Sequence, residues 1–173
     1  PGAEIVVTDH GYGAVTMGAE RMARRWGGRV VTAHVPLGAT GEEAHDAVMA
    51  VCTNKTRLIV IDHITSATAR FMPVAEISAS ARARGIVTLV DGAHFPGLYD
   101  NPLDGVDCDF WIGNLHKFAC APRGTAVLLA PNSLSQELYP LVDSWAAPHA
   151  FPQRFDSRGP LDPTSDLATP PAP

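Results

Sequence analysis

The sequence predicts an α/β fold, a mostly parallel sheet with helices on both faces in three layers. Three observations carry that expectation. Apolar, β-branched runs of strand length recur along the chain, as in EIVVT, RLIVID and GIVTLVD. Stretches with apolar residues at helical spacing stand between them. Acids, histidines and a lysine follow several of the runs directly, as ligand-binding residues do at the carboxyl ends of strands in an open α/β sheet.

The first strand is Glu4–Thr8, immediately after Pro1 and Gly2. Val15, Ala19, Met22, Ala23 and Trp26 then recur at helical spacing, with arginines on other faces and Gly27-Gly28 to end the helix. Residues 29–35 give the second strand. Thr40-Gly-Glu-Glu43 is a capping-box signature opening a helix whose apolar face is Ala44, Ala47, Val48 and Val51. Residues 58–64 form the third strand, and Pro73 suits the first turn of a helix with Val74, Ile77 and Ala81 inside. Residues 86–90 return as a fourth strand, because short βα crossovers force parallel neighbours. Residues 109–113 and 125–130 are two more strands, and the short link through Pro122-Arg123-Gly124 suits an antiparallel turn for the last. After Pro131 the recurrence of proline leaves room only for a short helix near residues 133–138.

Composition narrows the function. The chain has 173 residues, 46% apolar and 18% charged, which suits one globular core. A formal net charge of −5 gives no reason to expect nucleic acid or an anionic membrane as partner, and the apolar runs are far shorter than a bilayer span. Nothing resembles a secretory leader, and three cysteines without CxxC spacing read as reduced thiols, so the expected location is cytoplasmic.

The chemistry concentrates in residues 89–117, LVDGAHFPGLYDNPLDGVDCDFWIGNLHK. Asp91 ends one strand and Lys117 follows another, among apolar neighbours where a solvated charge is oddly placed. A lysine amine, a carboxylate and nearby amide and imidazole donors suit pyridoxal phosphate: an aldehyde for Lys117, a ring nitrogen for Asp91, and a phosphate for Asn114 with His116. The plain alternatives are a strand-end lysine, a turn aspartate and a structural histidine.

The segments VTDHGYGAV, VIDHITSATA, LVDGAHFPG and DFWIGNLHKFACAPRG resemble, in order, the large domain of class V aminotransferase-like enzymes of fold type I, most closely the isopenicillin N epimerase-like branch, with cysteine desulfurases more distant. The resemblance implies a pyridoxal-phosphate-dependent transferase large domain. The enzyme would act at Cα of an amino acid or amino-acid-derived substrate, as an epimerase, aminotransferase or C–S lyase, through a Lys117 Schiff base. It also implies that Asp91 salt-bridges the ring nitrogen, that Ser66 reaches the phenolic oxygen, that His94 either reaches that oxygen or lines the substrate pocket, that His116 and Asn114 serve the phosphate, and that His10 stacks on the ring, with Tyr12 its competitor. Set against that family, the chain reads as an internal fragment: residues 1–131 are the cofactor-binding core, and residues 132–173 are a Pro-rich segment leading toward a homodimer interface and a missing small domain. In FDSRGPLDPTSDLA, Pro160 stands where the family's FDWTGTxDP carries a threonine, and Thr164 is the substitute donor. Two rivals remain at this point. One is a catalytically silent truncated domain, the other a metal-dependent hydrolase using His10, Asp62, His63, Asp91, His94 and His116.

Overall fold

A computed structural model describes residues 2–101, 103–156 and 163–169. The elements alternate from the start: β1 (Glu4–Thr8), α1 (Gly13–Arg25), β2 (Arg29–Ala33), α2 (Gly41–Ala50), β3 (Thr56–Asp62), α3 (Val74–Ala83) and β4 (Val87–Asp91). Then come β5 (Phe110–Asn114) and β6 (Ala126–Leu129). Among the described residues the strands form one six-stranded sheet in the order β2-β1-β3-β4-β5-β6, parallel throughout except for β6, which runs antiparallel to β5.

Alternation along each strand builds two unequal faces. Val6, Ile59, Ile61, Val90 and Trp111 meet Ala44 and Val48 of α2 and Val74, Ile77 and Ala81 of α3 in the main core. Each fully buried aliphatic side chain there contributes about 1.5–3 kcal/mol of transfer free energy. Among the described residues the other face is covered by α1, where Ile5, Val7 and Ala23 form a small second cluster. The apolar stripe expected on α1 is therefore only part-covered, and Trp26 at its end is 65% exposed.

Local chemistry explains where the elements start and stop. Both arms of the capping box are made at α2: the amide of Glu43 donates to Thr40 Oγ1 (3.2 Å) and that of Thr40 to Glu43 Oε2 (2.7 Å). His45 Nε2 then meets Ser80 Oγ at 2.8 Å and ties α2 to α3. β2 stops at Ala33, two residues before the expected end, because Val35 leaves the ladder: its amide donates to Asp9 Oδ1 (3.0 Å) and its carbonyl accepts from His10 Nε2 (2.7 Å). Glu4, buried in β1, is held by Thr53 Oγ1 (2.6 Å) and by the guanidinium of Arg29 (2.7 Å), and those hydrogen bonds keep its carboxyl below the usual range.

Beyond β6 regular structure thins to α4 (Asn132–Ser135), a 3-10 turn (Gln153–Phe155) and α5 (Thr164–Leu167). Arg154 organises this part. Its guanidinium donates to the carbonyls of His149 (3.0 Å), Gln136 (3.2 Å) and Leu138 (3.2 Å), and stacks 4.3 Å from the centre of the Tyr139 ring. The Pro160 position lies outside the described residues.

Candidate active site

The chain passes from β1 out to the sheet edge at β2 and back across β1 to β3, so the strand order reverses beside β1. Ligands bind outside the carboxyl ends of strands at such a reversal. There, Asp62 ends β3 opposite Asp91 at the end of β4. Leu58, Val60, Leu89 and Ile112 form an apolar floor leading to Asp91 and Asn114, and with α1 they bound a cleft of about 540 Å³. Its polar mouth carries Asp91, His94, Asn114 and Lys117, and the rest is uncovered sheet face.

Lys117 follows β5 in a turn, tied by its carbonyl accepting the amide of Cys120 (3.0 Å) and by the amide of Leu115 donating to Thr125 O (3.1 Å). Its Nζ lies 3.0 Å from His94 Nε2. His94 Nδ1 lies 3.2 Å from the carbonyl of Ile64, which only accepts, so the proton belongs on Nδ1 and Nε2 is left as acceptor for the lysine. Asp91 Oδ1 accepts the amide of Ala93 (3.0 Å). Two glycines permit this approach. A Cβ on Gly92 would lie 2.3 Å from the Trp111 ring, and one on Gly97, whose φ is +86°, would lie 2.4 Å from the backbone of Phe118 and Ala119. The lysine turn therefore rests directly on the Pro96-Gly97 backbone.

Asp62 and His63, neighbours in the hydrolase reading's ligand set, are sent by alternation to opposite faces. His63 packs at 4.1 Å on the Phe95 ring and accepts a long contact from Trp111 Nε1 (3.5 Å), and burial pushes its pKa down to about 4. Asp62 faces the other way, toward Asp91. Its carboxyl is pushed up to about 7, first by burial and then by the Asp91 charge. The signal for it in the sequence is faint: an acid at the last position of a strand whose neighbour also ends in an acid.

The other expected site residues are placed differently. His10 is buried beside the site, with Nε2 donating to Val35 O and Nδ1 meeting Thr68 Oγ1 at 2.7 Å, so both nitrogens hold the strand-end loops together. It does not line the cleft, whereas Tyr12 does. His116 donates from Nδ1 to Thr125 O (3.1 Å) and Ser66 is exposed in a turn, and neither lines the cleft. Among the described residues no three His, Cys, Asp or Glu side chains converge to hold a metal ion.

The family model of aminotransferase class V matches residues 1–144. The chain belongs to the aminotransferase class-V family. Within it, the chain is 41% identical over 163 residues to isopenicillin N epimerase of Streptomyces clavuligerus, covering 89% of this chain and 41% of that protein. The chain thus spans about two fifths of that relative's length. Among solved structures, the fold is similar to the cysteine desulfurase CsdA of Escherichia coli, with TM-score 0.75, 23% identity, and coverage of 84% of this chain and 36% of that one. It is also similar to a C-DES variant carrying glycine covalently linked to its pyridoxal phosphate cofactor, with TM-score 0.72, 24% identity, and coverage of 84% and 39%. The class-V chain offers pyridoxal phosphate a fitting donor set at one end of the cleft: an amine on Lys117, a carboxylate with one oxygen unused by Ala93, and a flat apolar floor for a ring. Burial pushes the thiols of Cys52 and Cys108 up, which suits inert reduced side chains.

Proposed function

We propose that this protein is a cytoplasmic pyridoxal-phosphate-dependent enzyme that acts at Cα of an amino acid or amino-acid-derived substrate, as an epimerase, aminotransferase or C–S lyase. Residues 1–131 are its cofactor-binding core. The observation that carries this reading is the Lys117 Nζ to His94 Nε2 contact of 3.0 Å in one cleft with Asp91.

Lys117 Nζ is the amine that bonds covalently to the cofactor aldehyde. Pyridoxal phosphate, when bound, supplies a conjugated ring that withdraws electrons from the bonds at Cα. Asp91, at the end of β4, holds a proton on the ring nitrogen, and the amide of Ala93 fixes the orientation of its carboxylate. His94, oriented by Ile64 O, presents Nε2 as acceptor to the lysine and lines the cleft where the cofactor would lie. Lys117 would be the base placed to take and return the Cα proton, with His94 as its hydrogen-bond partner at 3.0 Å. Asn114 lines the cleft and would serve the phosphate, while His116, Ser66 and His10 lie outside that lining.

The full assembly is a homodimer. Leu141, Val142 and Trp145 support that reading, since they are 104%, 76% and 91% exposed in the segment that the family resemblance places toward the interface. The assignment of Lys117 is tested by incubating the protein with pyridoxal phosphate, reducing with borohydride and mapping the modified peptide by mass spectrometry. A stable adduct is expected on Lys117. An adduct on Lys55, or none in folded protein, overturns the assignment.

A further inference from the structure

We infer that Asp62 and Asp91 act as a carboxyl pair that shares one proton, held on Asp62 up to about neutral pH, which leaves Asp91 as the anion facing the cofactor's ring nitrogen. The inference rests on the reading of Asp91 given above, but the pair itself is a property of the cofactor-free protein.

The register carries it. Asp62 and Asp91 are direct partners across the parallel β3-β4 ladder, so their side chains leave the sheet on the same face from strands about 4.8 Å apart. Asp62 is 6% exposed. Two carboxylates at that separation, one of them out of water, do not both ionise at low cost. The surroundings decide which keeps the charge. Asp91 is the more exposed of the two, and its Oδ1 accepts the amide of Ala93 at 3.0 Å, a bond that favours the ionised form. Asp62 has only its own backbone amide. Among the described residues neither acid makes an ion pair with a lysine or arginine.

The charged groups that face Asp62 come from three elements: His10 after β1, Asp91 on β4, and Lys117 after β5, with the Asp91 charge outweighing the other two. Gly11 lies on the remaining side, since a Cβ built on it would lie 3.8 Å from Asp62 Oδ2 and 3.2 Å from Thr16 Oγ1 of α1. A neutral Asp62 leaves one negative charge to match one protonated ring nitrogen. A charged Asp62 would add a second negative charge near that nitrogen and leave a surplus buried anion. Asp62 is thus a positioning residue that acts through Asp91.

The test uses cofactor-free protein labelled with ¹³C at the aspartate carboxyls, with Asp62 and Asp91 assigned by through-bond correlation. In the wild type, Asp62 is expected to titrate with a midpoint near 7, and the Asp91 resonance to show an inflection at the same pH. Asp91→Asn should lower the Asp62 midpoint by about one pH unit or more, and Asp62→Asn should remove the inflection from Asp91. Asp62 titrating near its ordinary value of 3.8, or an Asp91 resonance without the shared inflection, overturns the pair. Both wild-type readings survive even where a variant fails to fold. A confirmed pair with no adduct on Lys117 would instead remove the cofactor reading and leave the pair standing.

Discussion

Asp62 and His63 are adjacent in sequence and pull stability in opposite directions. The folded chain holds a proton on Asp62 up to about pH 7, whereas the unfolded chain releases it near 3.8, so stability falls as pH rises between those values. His63 is the reverse: the unfolded chain holds a proton up to 6.5 and the folded one only to about 4, so stability rises with pH across that window. Each slope is at most about 1.4 kcal/mol per pH unit. Between roughly pH 4 and 6.5 they offset each other. Urea unfolding of Asp62→Asn, relative to wild type, should therefore gain stability steadily from pH 4.5 to 6.5, and His63→Gln should lose it. Parallel pH profiles for wild type and variants would show that neither group is perturbed. Asp91→Ala makes a separate prediction on the holoenzyme. Covalent attachment at Lys117 persists while turnover falls on the order of 10²–10³-fold, and chelators leave wild-type turnover unchanged. Turnover lost to a chelator and restored by zinc or manganese points to the hydrolase instead. At this scale the sequence singles out Asp91, His94 and Lys117 because they stand at or a few residues beyond the ends of apolar runs, and all three line one cleft. It hides what Asp62 does, since that depends on which strand lies beside β3. It also hides the engagement of His10 by Val35 and Thr68, 25 and 58 residues away.

The elements themselves were legible because each carries local punctuation. The capping box predicts α2 to the residue: its helix begins at Gly41, next to Thr40. Thr40→Ala should cost about 1 kcal/mol in chemical denaturation, with little effect on the cleft. Strand ends were less legible, because they are set by side chains of distant elements, as Asp9 and His10 show when they draw Val35 out of β2. The turn holding Lys117 is of the same kind. Gly97→Ala places a methyl group against the Phe118-Ala119 backbone at a positive φ, so the turn must move. The expected outcome is a fold destabilised by about 1–3 kcal/mol, with covalent labelling of Lys117 slowed more than the stability loss explains. Unchanged labelling kinetics would show that the Pro96-Gly97 contact does not set the lysine's position.

Over the whole molecule, the two faces of the sheet are finished to different degrees. Helices α2 and α3 close one core, while α1 leaves Leu58, Val60, Leu89 and Ile112 along an open cleft. Leu141, Val142 and Trp145 project from another region. Such surface favours association, so sedimentation should report a mass that rises with concentration, and Leu141→Asp combined with Trp145→Asp should shift the distribution toward monomer. A concentration-independent monomer in wild type speaks against the dimer. The sequence predicts helices on both faces correctly but not how incompletely one is covered, since the spacing of Val15, Ala19 and Met22 shows that a stripe exists and not what meets it.

The reversal of direction at β6 divides the chain by reach. β5 delivers Lys117 at the carboxyl edge, and the residues between it and Ala126 stay there, so Cys120 and Arg123 begin within a short span of the cleft mouth. β6 then carries the backbone away for its full length, about 14 Å at strand rise. Residues 131–135 therefore start at the far end of the sheet, and a side chain from the following segment touches the substrate only after the backbone has travelled that distance back. The turn at 118–124 therefore stays near the cleft mouth, whereas α4 starts at the opposite end of the sheet.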